Sequence, residues 1–461
     1  MRYGTLVLLG CAGALAAQVS PAPQAVVPLP LPIPAAPLGR WTAVPELPGM
    51  GRPVDAAAVA ARRHALARRI GHGLVLIPAA HERSLERDHA QDSDFRQANT
   101  FFYLTELEVK DAWLLLAVAP DSSPATLFLP SRDSAEERWT GIQLGPDSLA
   151  ARLSGVPRVL PRDSLAARLR AVRGQVEGDV YLPLADAPSD ARRVVELAVP
   201  GQPIRDVGPL VDSLRLIKDA DELRRLRTAV GITVLGHIAA IRAVRPGMWE
   251  YQLEAVVEGT FRAQGADRVG YPSFVGSGPN ATTLHYDANR RQLKDGELVV
   301  IDAGAEWGQY TADVTRTFPV SGRFTPRQKA IYDLVLATQR TAFDSVRPGV
   351  LVRDLDRIAR AYMRAHSGKL CGQETCDKTM IHLVGHWLGM DVHDAGDYRT
   401  PLAPGMVLTL EPGIYLPAES LGVRIEDDVL VTPGGGEWLS TGAPRSTEAI
   451  ERLAAGEPAG P

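Results

Sequence analysis

A chain of 461 residues is too long for one ordinary core, so two domains with tails are expected. The formal net charge is -4 and no basic stripe stands out, which argues against nucleic acid as a partner. No run of eighteen or more apolar residues occurs, so no membrane-spanning helix is expected.

The amino terminus reads as an address. Arg2 supplies a positive start, Thr5 to Leu15 is apolar, and Ala14-Leu-Ala16 and Leu15-Ala-Ala17 are small-residue cleavage sites. A signal peptide over residues 1–17 and export to a periplasmic or extracellular space are expected. The alternative is a lipoprotein anchored at Cys11, from Leu8-Leu-Gly-Cys11, but the apolar stretch ahead of that cysteine is short. Removing the leader would leave Cys371 and Cys376, an even pair in a polar loop, which suggests a small disulfide. Two thiols alone are too few soft ligands for a metal site.

Residues 18–50 are rich in proline and alanine, with Pro28, Pro30, Pro32 and Pro34 alternating, and read as an extended linker. Folded sequence begins near Val54. Ala56 to Ile70 has helical apolar spacing, while Leu74–Ile77, Trp113–Val118 and Thr126–Leu129 read as buried strands. This predicts an α/β domain over 51–208. A second domain is expected over 209–450, opening on Asp219 as the cap of a helix that runs to Val244, with a flexible tail over 451–461.

The second domain repeats itself. Val244-Arg-Pro-Gly247 recurs as Val346-Arg-Pro-Gly349, and downstream Leu253 matches Leu355 and Phe261 matches Met363. Gly296-Glu-Leu-Val-Val-Ile-Asp-Ala-Gly304 echoes Gly405-Met-Val-Leu-Thr-Leu-Glu-Pro-Gly413, so Asp302 and Glu411 occupy equivalent places. Each is followed by a further acidic strand, Thr311-Ala-Asp313 and Arg424-Ile-Glu-Asp-Asp428. Two such halves about a pseudo-two-fold would bring the acidic strands to one centre.

Asp302 and Glu411 each end an apolar run. A carboxylate buried there needs a cation, a metal or a proton. Between them lie His382, His386 and His393, three histidines within twelve residues of an apolar, glycine-interrupted segment. Together with the acidic strands, that clustering points to metal ligation and proton transfer.

At this point the chain resembles a known family. His386-Trp-Leu-Gly-Met-Asp-Val-His393, Val407-Leu-Thr-Leu-Glu-Pro-Gly-Ile-Tyr415, Val300-Ile-Asp-Ala-Gly304, Ala312-Asp-Val-Thr-Arg316 and Gly422-Val-Arg-Ile-Glu-Asp-Asp428 are similar to signatures of the pita-bread metallopeptidases. Asp94-Phe-Arg-Gln-Ala-Asn-Thr-Phe-Phe-Tyr-Leu-Thr105 resembles the matching stretch of Xaa-Pro aminopeptidases and prolidases. The likeness runs over roughly residues 50 to 450. It implies a creatinase-like α/β amino-terminal domain, a pita-bread catalytic domain, and a metal-dependent aminopeptidase that cuts before a proline at the second position of a peptide. A homo-oligomer is also expected.

Carried over by position, the resemblance implies the metal ligands Asp302, Asp313, His386, Glu411 and Glu426. Asp313 and Glu426 would bridge two ions, Asp302 would complete one shell, and His386 with Glu411 the other. Four carboxylates and one imidazole form a hard site suited to Mn²⁺, with Co²⁺ or Zn²⁺ as alternatives. Four negative charges balance two divalent ions, and a water between them would become the nucleophile. His285 and His393 match histidines at the scissile bond and at the tetrahedral intermediate, and Glu411 is counted with them as catalytic. His382 matches a wall of the proline pocket, and Tyr415 and Arg424 lie on that side.

Prolidase is the nearest rival, with the same fold, metals and most site residues but only dipeptide substrates. Trp387 leans towards the aminopeptidase. Methionine aminopeptidase lacks the amino-terminal domain. A non-catalytic peptide-binding relative would have lost ligands, whereas all five stand here.

Overall fold

In the computed structural model, which describes residues 54–81 and 95–457, the apolar runs of the first domain form a mixed sheet. Strands β1 (Gly73–Pro78), β2 (Trp113–Val118), β3 (Ala125–Leu129), β4 (Arg158–Pro161), β5 (Val180–Leu182) and β6 (Ile204–Asp206) take the order β4-β3-β2-β1-β5-β6. The central pairs are antiparallel and the outer pairs parallel. Helices α1 (Ala56–Ile70) and α2 (Asn99–Thr105) cover one face, where Leu66, Phe101 and Leu104 pack on Val75, Ile77, Leu114 and Leu116. After α3 (Glu137–Thr140) and α4 (Ser148–Ser154), helices α5 (Leu165–Arg173) and α6 (Ala191–Ala198) cover the other face, packing on Leu74, Leu76 and Leu115. Both faces of β1, β2 and β3 are buried, which is why these strands are continuous apolar runs rather than alternating ones. The expected leader over 1–17, the linker over 18–50, Cys11 and Asp94 lie outside the described residues.

The expected domain boundary at 208/209 falls at the start of α7 (Gly208–Arg215), which packs on α1. Next comes α8 (Ala220–Ala243), capped by Asp219, whose carboxylate accepts the Asp221 and Glu222 N–H groups while Glu222 accepts from Asp219 N–H. By length and hydropathy α8 could cross a bilayer, but here it is mostly buried against α9 (Glu250–Ala263) and neighbouring strands, as a core helix is.

The two halves of the second domain are visible in their turns. Gly247 after α8 and Gly349 after α10 (Pro326–Phe343) both hold positive φ, 88° and 91°. Gly247 N–H donates to Leu293 O at 2.9 Å and Gly349 N–H to Leu402 O at 2.8 Å. Leu293 and Leu402 return bonds to Met248 O and Val350 O. A residue with a side chain would be strained at either glycine, so the shared Val-Arg-Pro-Gly is a backbone requirement. Helix α11 (Val352–His366) then plays the part of α9.

The first half contributes β7 (Arg268–Val269), β8 (Phe274–Ser277), β9 (Leu298–Ala303), β10 (Ala305–Trp307), β11 (Tyr310–Thr311) and β12 (Val314–Pro319). The second contributes β13 (Val407–Leu410), β14 (Gly413–Leu416), β15 (Leu421–Arg424), β16 (Asp427–Thr432) and β17 (Gly435–Trp438). Strands β12-β9-β8 form one sheet, β13-β16-β17 another, and β14-β15 a hairpin. The halves are stitched where β12 meets β15 and β16. Glu426 N–H donates to Thr315 O at 3.1 Å, and buried Arg316 bonds Glu426 O at 2.7 Å and Asp427 Oδ1 at 2.6 Å.

Two local features refine the sequence reading. Residues 451–454, expected in a flexible tail, form the end of α12 (Thr447–Ala454). Ser446 caps that helix, and Ile450 and Leu453 are buried at helical spacing, so the packed face holds it in place. Cys371 and Cys376 are disulfide-bonded.

The two domains share buried charge. Arg62 of α1 reaches Glu106 at 3.0 Å and Asp219 at 2.9 Å, while Arg225 of α8 reaches Glu106 and Asp221, both at 2.9 Å. Burial drives Glu106 up to about 7, against the pull of Arg225 and Arg62. Removing one partner from such a cluster strands the others in a low dielectric, which costs about 3–5 kcal/mol. Arg62→Met should therefore lower the urea midpoint by the equivalent of about 3 kcal/mol. An unchanged midpoint would contradict a structural role for this cluster.

Candidate active site and metal centre

Four carboxylates and an imidazole meet in a cavity of about 450 Å³. Asp302 comes from β9, where it pairs with Thr315 of β12, and Asp313 lies one residue ahead of β12. Glu411 follows β13 by one residue, and Glu426 sits between β15 and β16. His386 is delivered by a segment lying along β13: Thr409 N–H donates to His386 O at 2.9 Å, and Glu411 N–H to Val384 O at 2.8 Å. That approach requires Gly385, since a Cβ there would lie 1.9 Å from Thr409 O.

The His386 ring is oriented for ligation. Its Nδ1 lies 3.0 Å from Trp387 O, which can only accept, so Nδ1 carries the proton. That leaves Nε2 facing Asp313 Oδ2 at 3.3 Å, Glu411 Oε1 at 3.6 Å and Glu426 Oε1 at 4.0 Å. An N–H given to a backbone carbonyl is the usual setting of a metal-bound imidazole. Ligand atoms of Asp313, His386 and Glu426 lie within 4.8 Å of one another. Asp302 joins through Tyr271, whose hydroxyl is 2.6 Å from both Asp302 Oδ1 and Asp313 Oδ1. One phenolic proton cannot serve two carboxylates at once.

The charges are crowded. Burial raises Asp302 to about 6 and Glu411 to about 7, and it carries Glu426 well above the carboxylate range, aided by Asp313. Burial works against the His386 cation, yet the bond to Asp313 and the charge of Glu411 outweigh it and lift His386 to about 9. Arg424 bonds Asp302 and, through Nε, Thr315 Oγ1 at 3.1 Å. Thr315 in turn donates to Glu426 Oε2 at 2.6 Å. One guanidinium among four carboxylates leaves negative charge to be neutralised, and oxygen-rich donors with one imidazole fit hard divalent cations.

The remaining expected residues surround this centre. His393 stands edge-on to His386, with centroids 4.2 Å apart, and stays partly exposed. Its neighbour Asp394 is buried and clamped by Arg215 and by Lys218 at 3.2 Å. His285, exposed, stacks on Phe274 at 5.1 Å. His382 Nδ1 lies 2.8 Å from its acceptor Leu383 O, and Nε2 accepts from Tyr415 O–H at 2.8 Å. Arg424 donates to that same hydroxyl at 3.2 Å. Burial, then Arg424, lowers His382 to about 4, so it is a neutral imidazole.

Tyr415, expected on the side of the proline pocket, is buried and bonds both His382 and Arg424, which line the cavity. Its hydroxyl is consumed in bracing them. Two further contributors were missed. Thr315 had a readable signal, since it alternates with Asp313, just ahead of β12, and with Thr317 on it. Tyr271, a lone aromatic in Gly270-Tyr-Pro-Ser273, had none.

Because the raised carboxyl groups and His386 hold protons near neutrality, a metal must displace them. Mn²⁺ should therefore bind more tightly as pH rises from about 6 to about 8, with proton release. Calorimetry of the stripped protein in buffers of different ionisation heat reads both quantities. A dissociation constant that does not move with pH would contradict the assignment.

Comparison with known proteins agrees with this geometry. A family model described as metallopeptidase family M24 matches residues 224–433, and one described as the aminopeptidase P N-terminal domain matches 59–181. The Xaa-Pro aminopeptidase of Haemophilus influenzae is 36% identical over 381 residues, covering 78% of this chain and 88% of the relative. Proline aminopeptidase P II from Yersinia pestis superposes with a TM-score of 0.82 at 34% identity, over 87% of this chain and 100% of that one. Zinc-substituted Escherichia coli aminopeptidase P in complex with product gives 0.83 at 33%, over 88% and 99%. The chain belongs to metallopeptidase family M24 and, within it, to the Xaa-Pro aminopeptidases, metal-dependent exopeptidases that cut ahead of proline.

Proposed function

We propose that this chain removes one amino-terminal residue from peptides of three or more residues with proline second, using two divalent ions, Mn²⁺ foremost. The supporting observation is the convergence of Asp302, Asp313, Glu411 and Glu426 on His386, because four negative charges are what two divalent ions neutralise. Asp313 and Glu426 would be shared between the ions, Asp302 would belong to one, and His386 with Glu411 to the other. When bound, such ions supply an acidified water and Lewis-acid polarisation of a carbonyl.

The chain's own residues do the rest. His393, held below its usual range by burial and by His386, favours the uncharged imidazole, which has an N–H to give. It faces the cavity beside His386, where it can donate to the scissile oxygen as charge develops. His285 also lines the cavity, is proposed to act near the scissile bond, and stacks on Phe274. His382 forms the proline wall. Tyr415 ties it to Arg424, so the proline wall and the ligand Asp302 are positioned by one hydrogen-bonded chain. His393→Ala should lower kcat by about 10²–10³ with metal content intact, the typical cost of losing one such donor. A wild-type kcat with metal bound would show that the role is wrong.

An Xaa-Pro amide has no N–H, so an ordinary peptidase acceptor for that hydrogen would be left unpaired. A neutral, half-buried histidine wall suits a ring instead. The substrate amino group is proposed to sit near the carboxylates, which restricts removal to a single residue. Xaa-Pro-Xaa peptides should be cut at least about tenfold faster than Xaa-Ala-Xaa peptides, a gap of about 1.4 kcal/mol. Acetylating the amino terminus should abolish cleavage, and chelation should remove activity that Mn²⁺ restores best. Equal kcat/KM for the two series would contradict the proline assignment. Turnover of Xaa-Pro dipeptides alone would favour the prolidase reading.

A further inference from the structure

One wall of the cavity is not accounted for by the ligands or the histidines. Leu383 lines the cavity next to His382 and leaves 44% of its surface exposed, and Ile381, on the other side of His382, leaves 65%. Single exposed leucines are ordinary. Here two large apolar residues bracket the proposed proline wall on a segment that polar anchors hold in place. The Arg360 guanidinium takes the carbonyls of Asp377, Met380 and His382 at 3.1, 2.8 and 2.6 Å. Val384 N–H bonds Asp356 Oδ1 at 3.1 Å. The backbone is thus fixed on both sides, while Leu383 is left uncovered at the cavity and Ile381 exposed two residues away.

We propose that Leu383, flanked by Ile381, is a specificity-determining residue that receives the side chain following proline and favours an apolar one. The proposal rests on the placement of proline against His382. His382 adjoins the ligands, with Nδ1 3.5 Å from Glu411 Oε2, so ligands, His382 and Leu383 form a continuous wall. A peptide held by its amino end at the carboxylates, with its second residue on His382, carries its third residue to Leu383. An apolar third side chain covers the exposed leucine and sheds water from both surfaces. A charged one gives up hydration against a hydrocarbon wall.

The test compares kcat/KM for Xaa-Pro-Leu, Xaa-Pro-Gly and Xaa-Pro-Glu peptides sharing one first residue, using the metal-loaded full chain, its Leu383→Ala variant and its Leu383→Met variant. The wild type should prefer leucine over glycine at the third position by at least about fivefold. That ratio should fall to within about twofold in Leu383→Ala and persist in Leu383→Met, and a uniform loss of activity cancels in it. A wild-type ratio near one, or a ratio unchanged in Leu383→Ala, overturns the proposal. If Leu383→Ala instead alters the proline-over-alanine preference at the second position, the leucine belongs to the proline slot and the proposal also fails. Full proline preference in His382→Ala would fault the underlying placement, an outcome distinct from either.

Discussion

Like charges buried at close range are the constraint on which the rest of this structure depends. Asp302, Asp313 and Glu426 are buried and Glu411 is half-buried, with Arg424 bonded to Asp302 among them. In a low dielectric this arrangement is unfavourable unless cations or protons balance it. The raised positions of Asp302, Glu411 and Glu426 express that cost as retained protons. The same strain that holds protons in the metal-free cluster becomes affinity when divalent cations replace them.

Much of the surrounding architecture keeps these groups from moving apart. Asp427, next to Glu426, is fully buried and takes bonds from Arg316 at 2.6 Å, Arg445 at 2.9 Å and Gln339 at 3.0 Å. The chain carrying Glu426 is therefore clamped from several elements. Asp394 does the same for His393 through Arg215 and Lys218 from the interdomain segment. The first domain also reaches behind the site, where Asn99 Nδ2 donates to Asp391 at 2.6 Å, two residues before His393. Such contacts place the loop carrying His386 and His393 against the first domain, so that domain shapes the site although all five clustered residues come from the second.

What could be read from the sequence, and what could not, follows from the range of the interaction. Strands β1 and β2 were legible because two covered faces force unbroken apolar runs. The two halves were legible because Gly247 and Gly349 must both adopt positive φ, so the same tetrapeptide is used twice. The five carboxylate and imidazole residues expected as ligands were legible through their motifs, and the structure brings them to one cavity. Tyr271 was not, since nothing local distinguishes a tyrosine that bridges residues 31 and 42 positions away. Nor was the pairing of Arg62 with Asp219, 157 positions apart, which depends on how two domains pack. The side of the site on which Tyr415 lies was legible, but not its bonds to His382 and Arg424, because its motif records proximity and not which atom its hydroxyl bonds. The helix at 447–454 was missed at its end, where a short apolar spacing was taken for a tail.

The central claim, that the charge of this cluster is balanced by a pair of divalent ions, is tested most directly by anomalous scattering. Crystals of the Mn²⁺-loaded protein, measured at the manganese edge, should show two peaks in the cavity. One should lie within ligand distance of Asp302 and the other within ligand distance of His386 and Glu411, with Asp313 and Glu426 reaching both. A single peak, or peaks beyond ligand reach of Asp313 and Glu426, would contradict the account.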